Sequence, residues 1–145
     1  MNISDLIINL KSLGTTLFVE GGQLKSKGPK GVLTPELSEA IKSNKVELIR
    51  LIDIKAIIAK IWCLVLGVSD VDDEDDFFEV GGHSLLATQL IGKLQNKFEL
   101  SLNIKFIYQY RTLLDMSMQL EMLLALKDIK QMKKDQGDQG GTTIF

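Results

Sequence analysis

Cysteine is almost absent from this 145-residue chain, which carries Cys63 alone. An internal disulfide framework is therefore excluded, and a reducing, cytoplasmic setting is expected. Cys63 falls on the apolar face of a predicted helix, where a thiol packs rather than reacts. Charge of one sign is also lacking: 17 Lys and Arg face 19 Asp and Glu, a formal net charge of -2. Without a long basic run, nucleic acid is not an expected partner. Long apolar runs are missing too. Residues 46–66 come nearest, but Glu47, Arg50, Asp53, Lys55 and Lys60 interrupt them, so no membrane span is expected. The N-terminus lacks a basic flank followed by an apolar stretch, and no signal peptide is expected. Histidine occurs once, as His83. It adjoins a serine and is badly placed to act as that serine's base, which argues against a catalytic triad.

The stretch richest in information is Asp76-Phe77-Phe78-Glu79-Val80-Gly81-Gly82-His83-Ser84-Leu85-Leu86. Ser84 follows two glycines where an acidic loop turns into an amphipathic helix. A hydroxyl there has little side-chain bulk upstream and is open to another protein's active site. A phosphate esterified to it would meet free amides and the positive end of the helix dipole. Other readings fit less well. A hydrolase elbow, G-x-S-x-G, needs glycine where Leu86 stands. A calcium loop beginning at Asp70 or Asp72 would place Asp75 or Phe77 where glycine is needed, and Gly81 or His83 where glutamate is needed. Capping by Ser84 is compatible with the pattern, but capping alone does not call for Gly-Gly-His before it. His83 reads as a conformational or interface residue.

Unbroken from Asp75 to Ala87, this stretch resembles the attachment site of peptidyl carrier proteins from nonribosomal peptide synthetases. The resemblance implies that Ser84 carries phosphopantetheine taken from coenzyme A, with Asp76, Gly81, Gly82, His83 and Leu85 as its supporting motif. Around it, Ile54, Ile57, Ile58, Ile61, Trp62 and Val65 recur at helical spacing, and Gly67 closes that helix. A long loop follows, with Phe77 and Phe78 expected to pin it to the core. A second helix over 84–98 points Leu86, Leu90, Leu94 and Phe98 inward. A short helical turn around 106–108 and a last helix over 112–126 complete a small bundle. The resemblance covers residues 54–127, and Ile61-Trp62 with Leu66-Gly67 resembles the family's first helix. This part holds seven Lys or Arg against ten Asp or Glu, a negative balance that would steer it toward basic enzyme surfaces. The acidic loop itself reads as solvated surface. Leu85, Thr88 and Ile91, with Phe106, Ile107 and Tyr110, are the expected partner contacts. Core packing is the competing reading for all of them, evenly balanced for Ile91 and Phe106.

The first fifty residues differ in pattern. Ile3, Leu6, Ile7 and Leu10 outline a short helix with Asn2 as N-cap and Gly14 at its end. Two β-prone runs joined by Gly21-Gly22 predict a tight hairpin, because primed turns need the positive φ that glycine supplies. Thr34-Pro35 starts a second helix and Asn44 with Glu47 a third. The order and spacing of Leu17-Phe18-Val19-Glu20-Gly21, Gly28-Pro29-Lys30-Gly31, Leu33-Thr34-Pro35-Glu36-Leu37 and Lys45-Val46-Glu47-Leu48-Ile49 resemble the TubC-type docking domains of such synthetases and of hybrid polyketide lines. That resemblance implies a guest strand added to an open hairpin edge, the guest being a short C-terminal motif of an upstream synthetase protein. Leu24, Lys25, Lys27 and Lys30 are the expected docking residues, so the guest should carry acidic residues. Protection of an edge from aggregation is the competing reading of the lysines.

The expected architecture is mostly α: an α–β-hairpin–α–α docking domain over 1–53, a four-helix carrier over 54–127 and a flexible tail or linker over 128–145. No proline, glycine or serine run separates docking from carrier across residues 46–66, which predicts a nearly continuous helix, a kink near Asp53 being the alternative. Thr142-Thr143-Ile144-Phe145 is β-prone and reads equally as a guest strand or as a cut in a longer polypeptide. The chain is expected to catalyse nothing alone. A phosphopantetheinyl transferase would modify it, an adenylation domain would load it, and condensation or tailoring domains would meet it. No adenylation domain lies in these residues, so loading comes in trans or from elsewhere in the polypeptide. The alternatives are a docking adaptor with an inactive carrier half and a discrete carrier of polyketide or fatty-acyl units.

Overall fold

The computed structural model describes residues 2–142, with side chains as far as Lys133. Two compact units divide the chain, Met1–Asp53 and Ile54–Phe145.

In the first unit, α1 spans Ile3–Ser12, and the Asn2 side chain caps it by accepting from the Asp5 amide at 2.8 Å. Strands β1, Thr16–Glu20, and β2, Gln23–Lys27, pair antiparallel with Glu20 opposite Gln23. Gly21 and Gly22 form the two-residue turn with φ of 59° and 76°, the primed geometry that suits the twist of the flanking strands. Helix α2, Pro35–Ser43, has proline in its first turn and a Thr34 hydroxyl accepting from the Leu37 amide. Leu6, Leu10, Leu37 and Leu48 form this unit's buried cluster. Asn44, expected to open the next helix with a side-chain cap, instead donates its amide to the Ala40 carbonyl and finishes α2.

Helix α3 runs from Lys45 to Leu66 as one element of 22 residues. It passes Asp53 without a break, because no glycine or proline interrupts its ladder. In the second unit α3 is followed by a loop, then α4, Ser84–Phe98, the short α5, Lys105–Gln109, and α6, Leu113–Thr142. The core gathers Ile58 and Trp62 of α3, Phe77 of the loop, Leu90 and Leu94 of α4, Ile107 of α5, and Met116 and Leu120 of α6, all fully buried. The Trp62 indole N–H finds the Met116 sulfur at 3.4 Å, which satisfies the one polar atom of that ring inside the core.

The tail needs a correction. Residues 128–142, expected as a flexible linker, are helical as the continuation of α6. Residues 127–133 are all exposed, so core packing does not hold them. Residues 127–133 hold no proline or glycine, and their three Lys, with Gln131 and Met132, lose little side-chain freedom in a helix. Residues 143–145 of the proposed guest strand lie outside the described residues. Among the described residues, no helix is long and apolar enough to cross a membrane.

Candidate functional site around Ser84

Ser84 is the first helical residue of α4, and its side chain is exposed. The N-cap is His83, one residue earlier than a capping role for Ser84 requires. His83 is extended, with φ of -148°, and makes no side-chain cap bond, while its carbonyl accepts from the Ala87 amide. Amides at the start of a helix have no acceptor within it. The first turn of α4 carries no acidic residue, so nothing in that turn competes for an anion there. The residues present thus fit a phosphodiester on Ser84: an exposed hydroxyl, donor amides and the positive end of a 15-residue helix.

The two glycines before the serine serve different needs. Gly81 has φ of 115° and open space around it. Gly82 donates its amide to the Phe77 carbonyl at 2.8 Å. A Cβ on Gly82 would lie 2.5 Å from the Phe77 ring and against the Phe77 carbonyl oxygen. Phe77 cannot yield, being fully buried and set edge-on against Trp62 with ring centroids 5.3 Å apart.

The acidic loop is more structured than a solvated surface. Asp76 pairs with Arg111 at 3.0 Å and accepts from the Phe78 amide, and Asp73 pairs with Lys55 at 2.9 Å. The side chains of Asp73 and Asp76 are only 26% and 18% exposed. The Asp75 and Asp73 carbonyls accept from the Leu113 and Leu114 amides, tying the loop to the start of α6. Sequence spacing hides these pairs because their partners lie far along the chain.

Among the expected partner contacts, Leu85 is 64% exposed and Thr88 is exposed, with its hydroxyl donating to the Ser84 carbonyl. Ile91, Phe106 and Ile107 are corrected to core residues, being 8%, 8% and 0% exposed. The inward stripe of α4 is Ala87, Leu90, Ile91 and Leu94. Leu86 and Phe98 of the expected row are partly buried against the same core, and a stripe about 100° wide also takes in Ala87 and Ile91. Tyr110 is half-buried against Phe106, ring centroids 5.2 Å apart. A residue absent from the sequence-based set stands closer to the serine: the Tyr108 hydroxyl lies 3.3 Å from Ser84 Oγ.

On the hairpin, the register puts Lys25 opposite Phe18 and Lys27 opposite Thr16, on one face. Lys25, Lys27 and Lys30 are exposed, and Lys25 pairs with Glu20 at 3.0 Å. An exposed pair of this kind is weak and open to exchange. Leu24 is corrected to a packing residue: it points to the other face, against the cluster of Leu6, Leu10, Leu37 and Leu48.

Comparison with known proteins agrees with both halves. Residues 3–53 match the family described as the TubC N-terminal docking domain, and residues 56–120 the family described as the phosphopantetheine attachment site. Two of the proteins that make up linear gramicidin synthase in Brevibacillus parabrevis are similar to this chain. One is 42% identical over 71 residues, covering 49% of this chain, and another is 46% identical over 55 residues, covering 38%. The chain spans about 1% of the length of each. In fold, the chain is similar to BlmI, a type-II acyl-carrier-protein from Streptomyces verticillus, with a TM-score of 0.52 at 24% identity. That likeness covers 58% of this chain and 98% of BlmI. Residues 3–53 thus belong to the TubC N-terminal docking domain family, and residues 56–120 to the family of the phosphopantetheine attachment site.

Proposed function

We propose that Ser84 is the residue that carries phosphopantetheine, and that the chain presents aminoacyl or peptidyl groups within a nonribosomal peptide synthetase. The observation that carries this reading is an exposed hydroxyl on the first residue of α4, behind a glycine pair and before a first turn free of acidic side chains. Once attached, the group supplies a thiol on a long arm, where acyl cargo is held as a thioester. The protein supplies address and presentation: docking through residues 1–53, carriage through residues 54–127. On this reading it has no catalytic role of its own, since its one histidine, His83, adjoins Ser84 and is badly placed to act as that serine's base. Its expected partners are a phosphopantetheinyl transferase, adenylation and condensation domains, and the C-terminal motif of an upstream synthetase protein, all in the cytoplasm. The test is intact mass after incubation with coenzyme A, magnesium and a broad-specificity phosphopantetheinyl transferase. One added arm per chain is expected. No addition to folded protein overturns carriage and leaves docking as the activity.

For docking, the proposal is that a β-strand with acidic side chains adds to the hairpin edge and meets Lys25, Lys27 and Lys30. Replacing Lys25 and Lys27 together with Glu should weaken binding of an acidic C-terminal synthetase peptide about tenfold at low salt. The loss should shrink as salt is raised. Fluorescence anisotropy of the labelled peptide checks both points, and equal affinity for wild type and variant removes the lysines from the docking site.

A further inference from the structure

We infer that Tyr108 is a positioning residue for Ser84, an inference that rests on Ser84 being the attachment residue. The phenol oxygen of Tyr108 lies 3.3 Å from Ser84 Oγ, so one of these hydroxyls donates to the other across 24 residues of sequence. Serine Oγ has three staggered positions, and this contact selects one turned toward α5. The backbone beneath is held as well, because the Thr88 hydroxyl donates to the Ser84 carbonyl at 3.0 Å.

A tyrosine that is 46% exposed would be a loose anchor unless its ring were fixed, and here it is fixed. Tyr108 stacks on Phe78 with centroids 4.8 Å apart and planes 15° from parallel. Phe78 meets the edge of Phe77 at 5.4 Å, and Phe77 meets Trp62 at 5.3 Å, so the aromatic series reaches the centre of the core. The guanidinium of Arg111 lies 5.0 Å from the Phe78 ring centroid, and Asp76 holds that guanidinium at 3.0 Å. Asp76 also accepts from the Phe78 amide at 2.8 Å, which fixes the backbone that bears the stacking ring. The motif residue Asp76 therefore acts on the serine indirectly, through Phe78 and Tyr108.

A ring that only packs and a hydroxyl that orients Oγ predict different outcomes for Tyr108→Phe, which removes one oxygen and keeps the stack. The experiment takes the full chain, labelled with 13C at serine Cβ, as wild type, Tyr108→Phe, Phe78→Leu and Ser84→Ala. Ser84 signals are recorded on the unmodified protein, and modification kinetics are measured with coenzyme A and the transferase. In Tyr108→Phe the Ser84 Cβ resonance should shift and its Hα–Hβ couplings should move toward rotamer averaging. The kcat of modification should fall about two- to tenfold at unchanged KM, the range expected for one modest hydrogen bond. Phe78→Leu should reproduce the change in couplings with the phenol still present.

Wild-type couplings and wild-type kcat in Tyr108→Phe overturn the proposal. A rise in KM with kcat unchanged also overturns it, since Tyr108 would then be a surface contact for the transferase. Failure of the underlying reading looks different: the wild type takes up no arm, or Ser84→Ala still takes one up. Either result removes the positioning role along with the site, while the couplings, which need no transferase, report separately on the contact.

Discussion

Ser84→Ala will take up no phosphopantetheine under conditions that modify the wild-type chain fully. On the proposed assignment, the substitution removes the one atom that the transfer requires and little else. Ser84 is exposed, heads α4 and bears no cap bond to the helix backbone, that place being held by the extended His83. A surface change of this kind usually alters stability by less than about 0.5 kcal/mol, so thermal melts of variant and wild type should nearly coincide. Two other hydroxyls lie close enough to be tested by the same sample. Thr88 is one turn along the helix with its hydroxyl turned back to the Ser84 carbonyl, and Tyr108 lies across on α5. Neither occupies the first position of α4, where amides and helix dipole favour an anion. Intact mass decides the matter: an arm still present on Ser84→Ala would transfer the assignment to another hydroxyl, which peptide mapping would identify.

Gly82→Ala is expected to be the most damaging single-methyl change in the carrier half. The new methyl would overlap the carbonyl and ring of Phe77. Neither group can move cheaply: the carbonyl is bound to the Gly82 amide, and the ring is sealed against Trp62. Overpacking of this kind costs about 1–3 kcal/mol, and each kcal/mol lowers the Tm of a domain of 60–100 residues by about 4–8 °C. Trp62 is the only tryptophan in the chain, and it lies in the carrier core, so its fluorescence follows this half alone. Gly81→Ala provides the contrast. It meets open space but must adopt φ of 115°, a strain of about 1–3 kcal/mol that involves no contact with Phe77. Pairing each with Phe77→Leu separates the two mechanisms, because only Gly82→Ala shares a contact with that ring. Coupling is expected for Gly82 and simple additivity for Gly81. A wild-type melt for Gly82→Ala would show that the loop shifts freely and that its close packing on Phe77 is not needed.

The features legible in the sequence are those whose cause lies within a few residues. The hairpin follows from Gly21-Gly22, which alone supply two successive positive φ values. The start of α1 follows from Asn2 and that of α2 from Thr34 with Pro35, each acting over three residues. The unbroken α3 follows from the absence of glycine and proline between Lys45 and Leu66. The candidate serine could be read from Gly-Gly-His-Ser-Leu for the same reason: a glycine pair and a helix start are local facts. Even there the tertiary structure moved the cap to His83 and gave Gly82 its cause, a ring five residues away that is held in place by Trp62.

What only the tertiary structure decided are the contacts that join distant segments. Asp73 finds Lys55 across 18 residues, Tyr108 reaches Ser84 across 24, and Met116 receives the Trp62 indole across 54. Whether Ile91, Phe106 and Ile107 face inward depends on how α4 and α5 are turned within the bundle. A helical period allows a band of such rotations, and close packing against the other helices selects one. Leu24 follows the same rule on the hairpin, where alternation defines two faces but only the helices beside it decide which face is buried. The local code thus names the elements and the residue proposed to bear the chemistry. The packing of those elements determines which side chains remain at the surface and which of them, like Tyr108, come to stand beside the serine.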